Sequence, residues 1–173
     1  DRGLVGSEMC IRDRGYVGTV TAACLTDRGH RIVGVDVQDS KLDALANGRS
    51  PIVEPRVGEL LASASKRGLV SATSSVADAV LSTSVSIVCV GTPSTPVGDL
   101  DLQYVDGVCR EIAINLAEKE DRHLLILRST MLPGSTRRLV EKYFTGFEDG
   151  RVEVWFVPEF LREGLSLIHI SEP

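Results

Sequence analysis

The chain has 173 residues, of which 43% are hydrophobic and 25% are charged, a balance typical of one globular domain with its own core. The net charge of −5 at pH 7 argues against a nucleic-acid partner, because neutralising phosphates requires clustered Lys and Arg. No apolar run approaches the ~20 residues that cross a bilayer, and no signal peptide is visible, so we expect a cytoplasmic protein without membrane contacts. The four cysteines show neither a CxxC pair nor metal-ligand spacing, which predicts reduced, buried thiols and no metal site.

From residue 15 onwards, segments with helical periodicity alternate with short apolar segments typical of buried parallel strands. The predicted helices span residues 17–28, 40–47, 57–67, 75–81, 102–119 and 135–144. The predicted strands span residues 31–37, 69–72, 85–90, 124–130 and 152–157. This alternation predicts an α/β fold, a single domain with a Rossmann-like doubly wound parallel sheet, whose ligands lie at the carboxyl ends of the strands.

Two glycines, Gly15 and Gly18, open the first predicted helix. A helix N-terminus offers free N–H groups and a partial positive charge to a phosphate, and glycines allow close approach of the backbone. Asp36 follows the next apolar strand, eighteen residues after Gly18, close to where dinucleotide-binding folds place an acid on the ribose hydroxyls. The spacing predicts a dinucleotide site, although paired glycines alone would indicate only a turn.

Polar residues also follow the later predicted strands. They are Gly91-Thr92-Pro93-Ser94, Arg128-Ser129-Thr130 and Pro158-Glu159. Loops after strands are polar in any α/β protein, which is the simpler explanation. Their recurrence after successive strands nevertheless favours a ligand cleft.

Several motifs together resemble the UDP-glucose/GDP-mannose dehydrogenase family. They are Gly15-Tyr16-Val17-Gly18, Gly34-Val35-Asp36, Ser50-Pro51-Ile52-Val53-Glu54-Pro55, Cys89-Val90-Gly91-Thr92-Pro93-Ser94, Gly98-Asp99-Leu100-Asp101-Leu102, Arg128-Ser129-Thr130-Met131-Leu132-Pro133-Gly134 and Pro158-Glu159-Phe160-Leu161-Arg162-Glu163-Gly164. The resemblance implies NAD as cofactor, a nucleotide-sugar substrate, and oxidation of the sugar C6 alcohol to a carboxylate in two steps through a cysteine thioester. These motifs are most similar to the motifs of family members that act on GDP-mannose. Members that act on UDP-glucose are one alternative, and a nucleotide-binding module without catalysis is another.

The resemblance also implies roles for individual residues. The pyrophosphate of NAD would lie on Gly15, Tyr16, Val17 and Gly18, and the adenosine ribose on Asp36 and Lys41. Further cofactor contacts would come from Val90, Gly91, Thr92, Pro93, Ser94, Arg128, Ser129, Thr130 and Glu163. Glu159 resembles the carboxylate that activates water for thioester hydrolysis, and Thr130 a hydroxyl that orients this water. Substrate contacts would come from Glu159, Phe160, Leu161, Arg162 and Glu163, in an enzyme that is homo-oligomeric when complete. Without the resemblance, Glu159 and Glu163 would indicate only a solvated helix start.

The sequence departs from the family pattern at three positions. Asp13 stands where the family has the first glycine of its turn, Arg56 stands where it has glycine, and Val157 stands where it has asparagine. A carboxylate at position 13 would repel a pyrophosphate, so we expect weak NAD binding.

Both ends of the sequence, residues 1–14 and 165–173, resemble translated sequencing adapters, and residues 15–164 are then the NAD-binding domain. Met9 and Ile11 still alternate as in a buried strand, which predicts that this end supplies the first strand, with Arg12 at an apolar position. The family's thioester-forming cysteine belongs to a later stretch that the sequence does not contain. We therefore expect this fragment to oxidise no sugar.

Overall fold

The computed structural model describes residues 7–13, 15–96, 98–147 and 150–161. The strands are β1 (Glu8–Asp13), β2 (Arg31–Val35), β3 (Val70–Thr73), β4 (Val85–Cys89), β5 (His123–Leu127) and β6 (Val152–Phe156). The helices are α1 (Tyr16–Asp27), α2 (Asp39–Ala46), α3 (Val57–Lys66), α4 (Val76–Ser82), α5 (Gln103–Ala117) and α6 (Ser135–Tyr143). The predicted elements from residue 15 onwards are all present, with ends displaced by a few residues.

The six strands form one parallel sheet in the order β3-β2-β1-β4-β5-β6. The chain runs outwards in one direction from β1 to β3 and in the other from β4 to β6. The crevice between the carboxyl ends of β1 and β4 is therefore the topological switch point, where open α/β sheets bind ligands. The fold confirms the predicted Rossmann-like sheet.

Strand β1 lies at the centre of the sheet, between β2 and β4. Met9 and Ile11 are buried, as their alternation predicts, and Ile11 pairs in register with Gly34 and Ile87. Arg12 remains partly buried and forms an ion pair with Glu111 of α5. This pairing compensates a charge that would otherwise be costly at a central strand position.

Helices cover both faces of the sheet. One face packs against α1, which in turn packs against α3 through a cluster that includes Val20, Val57 and Leu61. The other face packs against α4, α5 and α6. Helix α1 is buried around most of its surface because it lies between sheet and helix, so its sequence lacks the polar stripe of an amphipathic helix.

Helix α3 begins with a strained residue. Its N-cap, Arg56, has φ 64° and is the one non-glycine residue with positive φ in the described part of the chain. The left-handed conformation favours glycine, which explains why the family has glycine at this position.

A chain of buried polar side chains lies at the amino ends of β1, β4 and β5. The Lys119 ammonium donates to the Val80 and Thr83 carbonyls and lies 3.3 Å from Nδ1 of His123. Because an ammonium cannot accept, Nδ1 is the acceptor and Nε2–H donates to Ser86 Oγ at 2.8 Å. Ser86 in turn lies 2.9 Å from Cys10 Sγ. This chain is at the opposite end of the sheet from the switch point.

No helix in the described part of the chain is long and apolar enough to cross a membrane.

Candidate functional site

The N-terminus of α1 lies at the switch point. Gly15 is the N-cap of this helix, and a Cβ built on it would meet no atom within 4 Å. Thr19 donates its hydroxyl to the Gly15 carbonyl at 3.0 Å. The backbone at Gly15 therefore borders open space next to the first N–H groups of the helix, an arrangement that suits an anion.

A cavity of about 240 Å³ adjoins this helix end and extends towards α2. Its lining residues come from β1, α1, β2, α2 and the segment after α2: Ile11, Gly15, Gly18, Thr19, Ala22, Gly34, Val35, Asp36, Lys41, Leu42, Leu45, Pro51 and Ile52. Most of these residues are apolar, and only Asp36 and Lys41 among them carry a charge. The cavity thus combines an apolar slot with one carboxylate and one ammonium.

Asp36 is buried, with 8% of its side chain exposed. Its Oδ1 accepts a hydrogen bond from the Gln38 N–H at 2.9 Å, which fixes the carboxylate. Its Oδ2 has no hydrogen-bond donor in the described part of the chain, and the Lys41 Nζ lies 3.7 Å away. A buried carboxylate oxygen without a donor is costly, so this atom points to a ligand that donates a hydrogen bond.

The loops after β4 and β5 are joined to each other. Ser129 is buried and donates its hydroxyl to the Val90 carbonyl at 2.6 Å, and Thr92 donates to the Thr130 carbonyl at 2.8 Å. The Val90 side chain belongs to the core. These groups therefore shape the edge of the cleft, while the neighbouring residues Gly91, Pro93, Ser94 and Thr130 are exposed.

Arg128 supplies a second unsatisfied polar atom at this edge. Its backbone N–H continues the sheet by donating to Val88, but its buried Nε has no acceptor in the described residues. Within the described residues, the carboxyl ends of the strands thus hold one acceptor, on Asp36, and one donor, on Arg128, that lack a hydrogen-bond partner.

The segment after β6 crosses towards α1 and α3. Leu161 packs against the buried cluster that contains Val20 and Val57, as Tyr16 does. Glu159 is partly buried and accepts the Leu161 N–H at 2.9 Å, and Phe160 is 88% exposed. The structure therefore brings Glu159 to the side of the sheet where the α1 N-terminus lies. Arg162 and Glu163 lie outside the described residues.

Sequence reasoning missed the apolar walls of the cavity. Leu42 and Leu45 come from α2, and Pro51 and Ile52 follow that helix. The Ser50-Pro51-Ile52 motif was recognisable as part of the family pattern, but it carried no predicted role. No group of three or more metal-ligating side chains occurs in the described part of the chain.

Comparisons with known proteins identify the family of the chain. The family described as "UDP-glucose/GDP-mannose dehydrogenase family, NAD binding domain" matches residues 7–173. GDP-mannose 6-dehydrogenase of Azotobacter vinelandii is 46% identical over 163 residues, which cover 92% of this chain and 37% of that protein.

Two solved structures are also similar. A ternary complex of GDP-mannose dehydrogenase from Pseudomonas aeruginosa has a TM-score of 0.90 and 42% identity, over 95% of this chain and 39% of that one. A UDP-glucose dehydrogenase from Pyrobaculum islandicum has a TM-score of 0.87 and 36% identity, over 100% of this chain and 40% of that one. The chain therefore spans well under half the length of these relatives. It belongs to the UDP-glucose/GDP-mannose dehydrogenase family, and what it contains is that family's NAD-binding domain.

Proposed function

We propose that this chain is the cofactor-binding part of a nucleotide-sugar 6-dehydrogenase and that the cavity beside Asp36 holds the adenosine half of NAD. The observation that carries this proposal is the buried Oδ2 of Asp36, which lacks a donor in the described part of the chain. A ribose hydroxyl would supply the donor, with Lys41 next to it. The apolar walls, such as Leu45 and Ile52, suit a purine ring.

The pyrophosphate would lie on the N-terminus of α1, formed by Gly15, Tyr16, Val17 and Gly18. The open space beside Gly15 supports this position, because any side chain there would project into the ligand's path. The helix dipole and the free N–H groups favour an anion at this point. The adenosine cavity is continuous with this helix end, since Gly15, Gly18 and Thr19 also line it.

The nicotinamide half would lie along the ends of β4 and β5. NAD, when bound, accepts a hydride from the substrate. The bonds from Ser129 to Val90 and from Thr92 to Thr130 hold the two loops in a fixed relation, so Gly91, Pro93 and Ser94 present a rigid edge. Positioning of this kind lowers the entropic cost of reaching a reactive geometry.

The sugar would lie between this edge and the segment after β6. We place Glu159 there as the base that activates water and Thr130 as the hydroxyl that orients this water. Phe160 and Leu161 would contact the substrate, with Arg162 and Glu163 assigned by the family resemblance alone. The bond from the Leu161 N–H fixes one carboxylate oxygen of Glu159 and supports its role as an oriented group.

GDP-mannose is the favoured substrate, because the 46% identical relative is named for it. UDP-glucose is the second candidate, since the similar structure from Pyrobaculum islandicum is a UDP-glucose dehydrogenase. A binding module without catalysis is the third, and the presence of Glu159 at the strand end argues against it.

The thiols of this chain do not suit the covalent step. Burial raises the pKa of Cys10 and Cys24, and it raises the pKa of Cys109 to about 12. Cys89 is buried in β4. A neutral, buried thiol is a poor nucleophile, so the cysteines of this chain do not suit the thioester step. We expect the 173-residue chain to bind NAD without producing NADH from GDP-mannose.

Calorimetric titration with NAD⁺ tests the cofactor site. Asp36→Ala should weaken binding by about 1–3 kcal/mol, because charge-assisted hydrogen bonds to the ribose are lost. The control is Asp39→Ala, which removes the same charge from an exposed position outside the cavity and should leave the affinity unchanged. Equal affinities for the two variants would refute the position of the adenosine. NADH production from GDP-mannose by the purified chain would refute the expected inactivity, and formation of the sugar carboxylate would refute the conclusion about the thiols.

A further inference from the structure

We propose that the groove between α5 and α6 is a second ligand site, which binds a chain of phosphate groups through Arg110 and Arg138. The groove is separate from the cavity beside Asp36, because the two share no lining residue and lie against opposite faces of the sheet. Binding in the groove therefore does not depend on the function proposed for that cavity.

The groove has a volume of about 890 Å³. This volume falls within the range of about 300–1,000 Å³ that is common for small-molecule sites. Each wall is one face of a helix, because its residues recur every three or four positions. The polar residues of the walls are Gln103, Asp106 and Arg110 of α5, and Ser135, Arg138 and Lys142 of α6.

The groove is positively charged, although the whole chain carries a net charge of −5. Three cations and one carboxylate, Asp106, line it, which leaves a net charge of +2. The carboxylate already has two donors, since Lys142 Nζ donates to Oδ1 at 2.8 Å and the Tyr143 hydroxyl donates to Oδ2 at 2.6 Å. The remaining positive charge, on the two arginines, attracts an anion into the groove.

Both arginines are available to a ligand. They are exposed, and none of the ion pairs among the described residues includes Arg110 or Arg138. The Arg138 guanidinium donates to the Ser135 hydroxyl at 3.2 Å, which orients the side chain along α6. Because a guanidinium has several N–H donors, most of those on Arg138 remain for a ligand.

Two guanidiniums on facing helices suit a ligand with more than one phosphate group. A guanidinium binds phosphate by two parallel N–H···O bonds, which makes arginine the preferred partner of this anion. A single phosphate can satisfy one guanidinium, whereas a chain of phosphates can contact both walls. We therefore expect inorganic triphosphate to bind more tightly than inorganic phosphate, by about tenfold.

Calorimetric titration of the 173-residue chain with inorganic triphosphate tests the site. Arg110→Gln and Arg138→Gln should each lower the affinity about tenfold, because each removes a charge-assisted contact. The control is Arg137→Gln, which removes an equal charge from an exposed position of α6 outside the groove and should change the affinity by less than about twofold.

A parallel titration with UTP, which carries the same phosphate chain on a nucleoside, distinguishes two sources of the ligand. Affinity about tenfold above that of triphosphate would identify a nucleotide as the ligand, and equal affinity would identify the free phosphate chain. Either result supports the site, provided that Arg138→Gln weakens binding of both probes.

Three results would overturn the inference. If triphosphate does not bind the unchanged chain, the groove is not a phosphate site. If both groove variants keep the affinity of the unchanged chain, triphosphate binds elsewhere on the protein. If Arg137→Gln weakens binding as much as Arg138→Gln, the anion responds to the general charge of α6 and not to the groove.

Discussion

Stability should fall in mild acid because of one buried histidine, His123. It lies at the start of β5, and 2% of its surface is exposed. The Lys119 ammonium lies beside Nδ1, and Nε2–H donates to Ser86. Burial, and then the neighbouring Lys119 charge, lowers the pKa of His123 from 6.5 to about 4. A proton therefore binds more tightly to the unfolded chain than to the folded one. The contribution of neutral His123 to the free energy of unfolding is fully present above pH 6.5 and is lost as the pH falls towards 4.

The size of the effect follows from the two pKa values. A difference of about 2.5 pKa units corresponds to about 3 kcal/mol when the loss is complete, and to about 2 kcal/mol at pH 5. Two further titratable groups belong to the same chain of buried side chains. Burial lowers the pKa of Lys119 from 10.5 and raises that of Cys10 from 9.0.

Urea unfolding followed by circular dichroism at pH 7 and pH 5 measures this loss. His123→Gln cannot titrate, so it should lose about 2 kcal/mol less than the unchanged chain between the two pH values, although it is less stable at pH 7. Arg122→Gln is the control, because it removes a neighbouring exposed charge outside the buried chain of side chains. Equal losses in the unchanged chain and in His123→Gln would show that His123 does not govern the acid response.

Three further substitutions test the site and its surroundings. Arg56→Gly should raise the free energy of unfolding by about 0.5–1 kcal/mol because it relieves the left-handed backbone at φ 64°, whereas Arg56→Ala keeps the Cβ and should bring no gain in the same urea assay. Gly34→Ala places a Cβ 2.1 Å from Leu45 Cδ2, so the Leu45 side chain must move. The affinity for 5′-AMP should therefore fall several-fold, and the free energy of unfolding should fall by about 1–2 kcal/mol. An unchanged affinity would exclude Leu45 from the proposed adenosine site. Asp13→Gly should strengthen NAD⁺ binding by about tenfold or more in calorimetry, with Asp13→Asn in between, since the charge stands two residues before Gly15; equal affinities would move the pyrophosphate away from this turn.

The sheet could be predicted from the sequence because each strand is a short apolar run that ends at a turn residue. Val85–Cys89 is an example: all five of its residues are buried, as expected for a strand covered on both faces. Asp36 could be predicted for a related reason, since a strand of fixed direction carries the residue that follows it to the ligand edge. In both cases the pattern of neighbouring residues in the sequence was sufficient for the prediction.

Contacts between distant segments could not be predicted in this way. Arg12 looked misplaced in the sequence because its partner, Glu111, is 99 residues away on α5. The cavity walls Leu45 and Ile52 look like ordinary apolar residues until α2 and the following segment are placed beside α1. Periodicity identifies the residues that are buried, but tertiary packing decides which of them face a ligand.

At Arg56 the family sequence pattern and the backbone conformation explain each other. Comparison with the family pattern marks the position as unusual, but it gives no reason for the glycine. The backbone supplies the reason, because the residue that precedes α3 has a positive φ, a conformation that favours glycine. Pro51 and Ile52 line the cavity beside Asp36 and belong to the segment that leads from α2 to α3, and Arg56 stands at the end of this segment. Arg56 itself does not line this cavity, so the gain in stability from Arg56→Gly should come without loss of 5′-AMP affinity.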